Sequence, residues 1–364
     1  MINKKIMILT SYYTGRGHAS ITQAIESELK KLGADYLVVE AVDLCGKIVQ
    51  KRCKKYGIIT SKKPWLWKIA YNFSNKHKYI VNKIIKRSCK KKFLIKLKEN
   101  KPDIILTVHP MFVGSILDIL KKDFEGKFFT LIADLVSINS MWFDKRSHLT
   151  FCPTCECYQL AKNGGLKESN LEPCKLPTRQ SITEMAKTDL DKNKTYPQFN
   201  KCLIMSGGEG SGNMDCIIEN VLLAKNTTVT AICGKNNILC TKLQQKYFGN
   251  ERVTICGFIQ NMHEVLSQHD IAIVRGSPNV LMECINLTVP IIVTSVLPGQ
   301  EKDNDTWIEK NGLGLKCPNP SNIPQTIEKY LLDNKTLLYQ TKQNQRDYRE
   351  LDAAKKIVDT IFNL

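Results

Sequence analysis

Lys201-Cys202-Leu203-Ile204-Met205-Ser206-Gly207-Gly208-Glu209-Gly210-Ser211-Gly212, just past the middle of the chain, decides the fold. The run up to Met205 suits a strand buried on both faces, and the glycines lead into a helical pattern that ends near Ala224. Strand, glycine loop and helix in that order open an α/β unit. Strand signals recur at 229–233, 253–256, 271–274 and 290–293, each trailed by a loop and a helical pattern.

The same grammar occurs earlier. Ile6-Met7-Ile8-Leu9-Thr10 is a buried-strand run, followed by Gly15-Arg16-Gly17-His18 and a helical pattern over 19–32. Further strands are expected at 37–41, 104–108 and 128–133. The pattern implies two Rossmann-like units, with a polar linker over 183–200. The expected domains are 1–182, 201–337, and a long final helix over 338–364 packing back across the junction. A length of 364 residues accommodates two such domains.

Composition excludes other classes. Hydrophobic residues make up 43% and charged residues 24%, as in folded globular chains. No window approaches 18 consecutive apolar residues, so contact with a membrane would be peripheral. The 14 cysteines are scattered through apolar runs, which suits a reducing cytoplasm. Cys152, Cys155, Cys157 and Cys174 read as a packed reduced cluster, with a zinc site as the alternative, although their spacing lacks paired knuckles.

The net charge of +18 is concentrated. Residues 47–101 hold nineteen Lys or Arg and one acid, Glu99, while the rest carries 34 bases and 34 acids. Such a patch attracts an anionic bilayer by about 1 kcal/mol per basic residue near its surface, or nucleic acid by counterion release. Trp65, Trp67, Tyr71 and Phe73 lie in the same stretch, and Trp and Tyr favour the headgroup level. An interfacial amphipathic helix is therefore expected, with burial of these aromatics in a helical core as the competing reading.

Glycines at 207, 208, 210 and 212 let backbone N–H groups approach a diphosphate at a helix N-terminus; the spacing matches neither a dinucleotide fingerprint nor a Walker loop. His18 opens a helix, where the dipole favours a neutral imidazole able to act as a base. His109 and Asp134 lie beyond strand ends on the same rim, and Asp134 could orient or deprotonate a hydroxyl.

From Gly257 the chain runs Gly257-Phe258-Ile259-Gln260-Asn261-Met262, Asp270, Arg275-Gly276-Ser277-Pro278-Asn279-Val280-Leu281-Met282-Glu283, then Pro298-Gly299-Gln300-Glu301 and Asn304. With Gly15-Arg16-Gly17-His18 and Ile232-Cys233-Gly234-Lys235-Asn236, this order resembles the monogalactosyldiacylglycerol synthases and processive diacylglycerol glucosyltransferases. It is more distantly similar to the N-acetylglucosaminyltransferase that makes lipid II. The resemblance implies a GT-B fold with a cleft between two domains, the acceptor in the first and the UDP-sugar in the second.

It further implies that Phe258 and Met262 bracket uracil, that Glu283 takes the ribose hydroxyls, and that Gln300, Glu301 and Asn304 read the sugar. The donor set also includes Gly234, Arg275, Ser277, Pro278 and Asn279. Gly17, His109, Trp65 and Trp67 are the acceptor candidates. Inverting transfer would begin with proton removal by His18 or Asp134; Arg275 and helix termini would stabilise UDP, so no cofactor or metal is required.

The expected partners are a UDP-sugar, a lipid acceptor and an anionic membrane at its cytoplasmic face, without nucleic acid. The alternatives are N-acetylglucosamine transfer to a polyprenyl-linked precursor, or a decayed scaffold binding membrane or nucleic acid. Three positions depart from the family pattern: Ser277 and Asn279 replace glycines, and Asn139 stands where the plant-type pattern has a histidine ahead of Trp142-Phe143.

Overall fold

The computed structural model describes residues 4–15, 17–120, 124–188, 200–205, 213–331 and 335–364. The chain divides into two compact units. The first contains Met1–Gln180, Pro298–Gln300 and Asp352–Leu364, and the second Ser181–Leu297 and Glu301–Leu351.

The first unit is built on strands β1 (Ile6–Thr10), β2 (Tyr36–Glu40), β3 (Ile104–Thr107), β4 (Lys127–Leu131), β5 (Leu149–Cys152) and β6 (Leu171–Pro173). They form one sheet in the order β2-β1-β3-β4-β5-β6, every neighbouring pair parallel. All residues of β1 and β3 are buried, which explains their unbroken apolar runs: a parallel strand covered on both faces has no solvent side to alternate toward. The chain runs from β1 outward to β2 and then crosses back past β1 to β3, so the switch point of the sheet lies between β1 and β3.

The second unit repeats this plan with β7 (Asn200–Met205), β8 (Thr227–Ile232), β9 (Val253–Cys256), β10 (Ile271–Arg275), β11 (Ile291–Ser295) and β12 (Gly314–Lys316), in the order β12-β11-β10-β7-β8-β9. Its core joins Cys202 and Ile204 of β7 and Ile273 of β10 to Ile218, Leu243, Ile327 and Tyr330 from helices. Val274 pairs with Met205, so β7 and β10 end side by side at this unit's switch point.

Sequence periodicity missed β5, β6 and β12, which span only three or four residues and carry too little pattern to register. The proposed linker over 183–200 overlaps the helix Gln180–Lys187 and reaches β7 at Asn200; residues 189–199 lie outside the described set. The expected long final helix is two helices, Thr336–Tyr348 and Ala353–Asn363. They part because they bury different faces. Leu338 joins the core of the second unit, and Gln345 donates to the carbonyls of Val289 and Leu313 there. The second helix packs on the helix Gly17–Lys31 of the first unit.

The basic stretch forms four helices: Lys47–Lys54, Tyr56–Lys62, Pro64–Lys76 and Lys78–Asn100. None of the described helices is long and apolar enough to cross a membrane. The cysteines are free thiols, and no group of three or more His, Cys, Asp and Glu among the described residues is arranged to hold a metal ion.

Candidate active site

In the first unit, three adjacent parallel strands deliver the polar residues. His18 follows β1, His109 follows β3, and Asp134 follows β4; all three are buried. His18 Nδ1 lies 2.6 Å from the Val108 carbonyl oxygen, which only accepts, so Nδ1 carries the proton and Nε2 the lone pair. His109 has the opposite tautomer. Its Nδ1 accepts from the Met111 backbone N–H, leaving Nε2–H to donate to Thr14 Oγ1 at 2.9 Å.

The two imidazole rings lie 4.5 Å apart. Burial pushes His18 down to about 4, only partly opposed by its bond to Val108. Burial also holds His109 well below the ordinary value, with the neighbouring His18 adding to the effect. His18 is thus a neutral base at pH 7. The amino-acid order pointed to the helix terminus as the reason, whereas burial is the dominant cause.

Asp134 Oδ2 accepts the Trp142 indole N–H at 2.7 Å, and Oδ1 accepts from Gln300 Nε2 at 2.9 Å. Asn139 does not stand in for a base. Its Oδ1 caps Met141 N–H, while Nδ2 donates to the Tyr71 carbonyl and to Ser74 Oγ. These bonds clamp the loop after Asp134 onto the helix Pro64–Lys76, and Tyr71 Oη adds a bond to the Ser137 carbonyl at 2.7 Å.

That helix separates its two tryptophans. Trp67 sets its ring edge-on to Tyr56, with centroids 4.8 Å apart. Trp65 is 59% exposed and shares an outer face with Ile69 and Phe73 at helical spacing. Gly17 begins the helix Gly17–Lys31; Arg16 lies outside the described residues.

In the second unit the described donor candidates lie at or beyond the C-terminal ends of parallel strands. Gly234 follows β8 in a left-handed turn, Phe258 and Met262 follow β9, and Arg275 closes β10. Gly207, Gly208, Gly210 and Gly212 lie outside the described residues. Met205, which immediately precedes that loop, pairs with Val274, one residue before Arg275.

The helix Pro278–Asn286 has Ser277 at its N-cap without a capping side-chain bond and Pro278 in its first turn. Asn279 and Glu283 sit one turn apart on the helix, and Glu283 is buried. Asn304 Nδ2 donates to the Gly276 carbonyl at 2.7 Å. Among the described residues, the Oδ1 atoms of Asn279 and Asn304 are buried acceptors without a hydrogen-bond partner, an arrangement suited to hydroxyl donors.

Two expected contacts are committed within the protein. Arg275 Nε lies 3.2 Å from Glu301 Oε2, which also accepts the Leu297 N–H at 2.8 Å. Glu301 thereby anchors Arg275 and the loop after β11. Sequence reasoning missed Tyr56, Tyr71 and Trp142 as supports of Asp134; aromatic enrichment near residues 56–73 was the available signal.

A family model for monogalactosyldiacylglycerol synthase matches residues 18–178, and one for the glycosyltransferase family 28 C-terminal domain matches residues 202–361. The chain is 29% identical over 382 residues to monogalactosyldiacylglycerol synthase 2, chloroplastic, of Arabidopsis thaliana, covering 99% of this chain and 81% of that one. It is 27% identical over 394 residues to a probable monogalactosyldiacylglycerol synthase, chloroplastic, of Glycine max, covering 99% and 71%.

Among solved structures, MurG of Acinetobacter baumannii superposes with a TM-score of 0.66 at 12% identity, covering 99% of this chain and 100% of that one. The S. aureus MnaA-UDP co-structure gives 0.62 at 17% identity, covering 98% and 96%. These likenesses establish the two-Rossmann GT-B fold.

Proposed function

We propose, from the match of residues 18–178 to the monogalactosyldiacylglycerol synthase model and of residues 202–361 to the glycosyltransferase family 28 C-terminal domain, that this chain transfers a hexose from a UDP-sugar to a diacylglycerol-type lipid. One observation carries the reading: the two family matches fall in order on the two Rossmann-like units.

The chemistry requires a base for the acceptor hydroxyl and a holder for the departing diphosphate. His18 is oriented by Val108 with Nε2 as its lone-pair nitrogen, and it accepts the hydroxyl proton. Asp134 aligns the hydroxyl. The acceptor oxygen forms its bond to the anomeric carbon as the bond to the UDP oxygen breaks on the opposite face, inverting the centre. In the second unit Glu283 binds the ribose, Phe258 and Met262 the uracil, and Asn304 a sugar hydroxyl. The glycine loop after Met205 and the first turn of Pro278–Asn286 hold the diphosphate. Arg275, braced by Glu301, adds positive charge beside them. No metal has a part in this scheme.

The acceptor reaches the enzyme at an anionic membrane on its cytoplasmic face. The exposed Trp65, Ile69 and Phe73 insert at headgroup level while the lysines of the helix Lys78–Asn100 engage anionic lipid. The test is incubation of the protein with radiolabelled UDP-glucose, UDP-galactose or UDP-N-acetylglucosamine and vesicles containing diacylglycerol or a polyprenyl-linked acceptor. Labelled glycosyl-diacylglycerol is the expected product. Label confined to the polyprenyl lipid, or no labelled lipid from any donor, would overturn the proposal.

A further inference from the structure

Asp134 is held from two sides, by Trp142 on Oδ2 and by Gln300 on Oδ1. Gln300 is itself oriented: Tyr56 Oη donates to its Oε1 at 3.3 Å. The carboxylate, which only accepts, fixes the sense of the carboxamide, and the Tyr56 hydroxyl supplies a donor to the amide oxygen on its other side. With Oε1 turned to the phenol, Nε2 faces the carboxylate; the flipped amide would set oxygen against oxygen. Gln300 is brought there by Gly299, whose φ of 93° and contact with the Tyr71 ring leave no room for a side chain, since a Cβ would lie 2.9 Å from the ring. Tyr71 also ties down Ser137, three residues beyond Asp134. The carboxylate and the residue that holds it are therefore seated on one helix, Pro64–Lys76.

We propose that Tyr56 and Gln300 are positioning residues for the transfer: Tyr56 orients the Gln300 carboxamide, and that carboxamide aims Asp134 at the acceptor hydroxyl. This rests on the transferase reading and adds Tyr56 to it. Gln300 can still read a sugar hydroxyl, because Nε2 keeps a second hydrogen and Oε1 a second lone pair.

The test uses the full chain with carbonyl-13C-labelled aspartate, the Asp134 signal being assigned by Asp134→Asn, in wild type, Tyr56→Phe and Gln300→Glu. The titratable neighbours among the described residues include Cys157, whose thiol feels the Asp134 charge, His18, whose ring lies 6.4 Å from that of Trp142, and Tyr56 on the far side of Gln300. In Gln300→Glu a second carboxylate faces Asp134, so the pair should titrate in two steps, the upper displaced above the ordinary carboxylate range.

Tyr56→Phe should lower kcat about two- to tenfold with donor KM unchanged, the effect of one lost neutral hydrogen bond. An Asp134 titration unmoved in Gln300→Glu overturns the proposal, as does a Tyr56→Phe effect confined to donor KM. If wild type transfers no sugar, the transferase reading fails by itself, while the titration still decides whether Gln300 holds Asp134.

Discussion

His18 and His109 show how two identical side chains acquire different jobs from their neighbours. His109 has both nitrogens engaged, by Met111 and Thr14, and so braces the rim; His18 has one nitrogen tied to Val108 and offers the other. His18→Gln should therefore lower kcat about 10²- to 10⁴-fold, in keeping with loss of a general base, with UDP affinity by calorimetry unchanged. Equal loss of UDP binding would assign His18 elsewhere.

The sign of the pH dependence comes from burial. His18 titrates near 4 when folded against an ordinary 6.5, so on acidification the unfolded chain takes up the proton first. Stability from this group is level above about pH 6.5 and declines down to about pH 4, by about 3 kcal/mol in all. Urea midpoints should fall across that window in wild type and more shallowly in His18→Gln; matching slopes would remove His18 as the cause. On the donor side, Glu283→Gln should weaken UDP binding about tenfold or more, since a charged hydrogen-bond acceptor is lost. Unchanged calorimetric affinity would exclude the ribose contact.

At the scale of the element, the helix Pro64–Lys76 has two faces with separate duties. Tyr71 and Trp67 face the protein, and the outer face carries Trp65, Ile69 and Phe73, each at least half exposed. Residues two apart on a helix do not share a face, which is why Trp65 and Trp67 part company. Replacing Trp65, Ile69 and Phe73 together by Ser should reduce flotation with anionic vesicles at least tenfold, given about 1.5–3 kcal/mol for each large apolar side chain withdrawn from water. Trp67→Phe should leave flotation intact. Charge reversal within residues 83–98 should abolish the preference for anionic over neutral vesicles; if it changes nothing, the basic helix is a solvated face with no part in docking.

At the scale of the molecule, each unit closes its own core with one of the two terminal helices. Ile357, Val358 and Ile361 are buried on the helix Ala353–Asn363, which returns to the first unit and packs on the helix that carries His18. Ile357→Ala or Ile361→Ala should cost about 2–5 kcal/mol. The loss should register as a lower denaturation midpoint and as reduced amide protection within 17–31. Protection lost only in the second unit would contradict the packing.

Two doubly wound parallel sheets were legible in the amino-acid order because a strand covered on both faces must be apolar throughout, and because a glycine loop and a helical period come after such strands. The collinear run from Gly15 to Asn304 carried the resemblance to a family for a related reason: it falls on the loops at the strand ends where such sheets bind ligands. Other features depend on residues far apart in the chain. Gln300 meets Asp134 across 166 positions, and Tyr56 meets Gln300 across 244. The tautomers of His18 and His109 are set by a carbonyl, a hydroxyl and a backbone N–H. The break between the last two helices reflects the separate cores their faces enter. Hydrophobic periodicity is a local property of the chain, whereas hydrogen-bond partners and desolvation exist only once distant segments are packed, and the tertiary structure alone decides them.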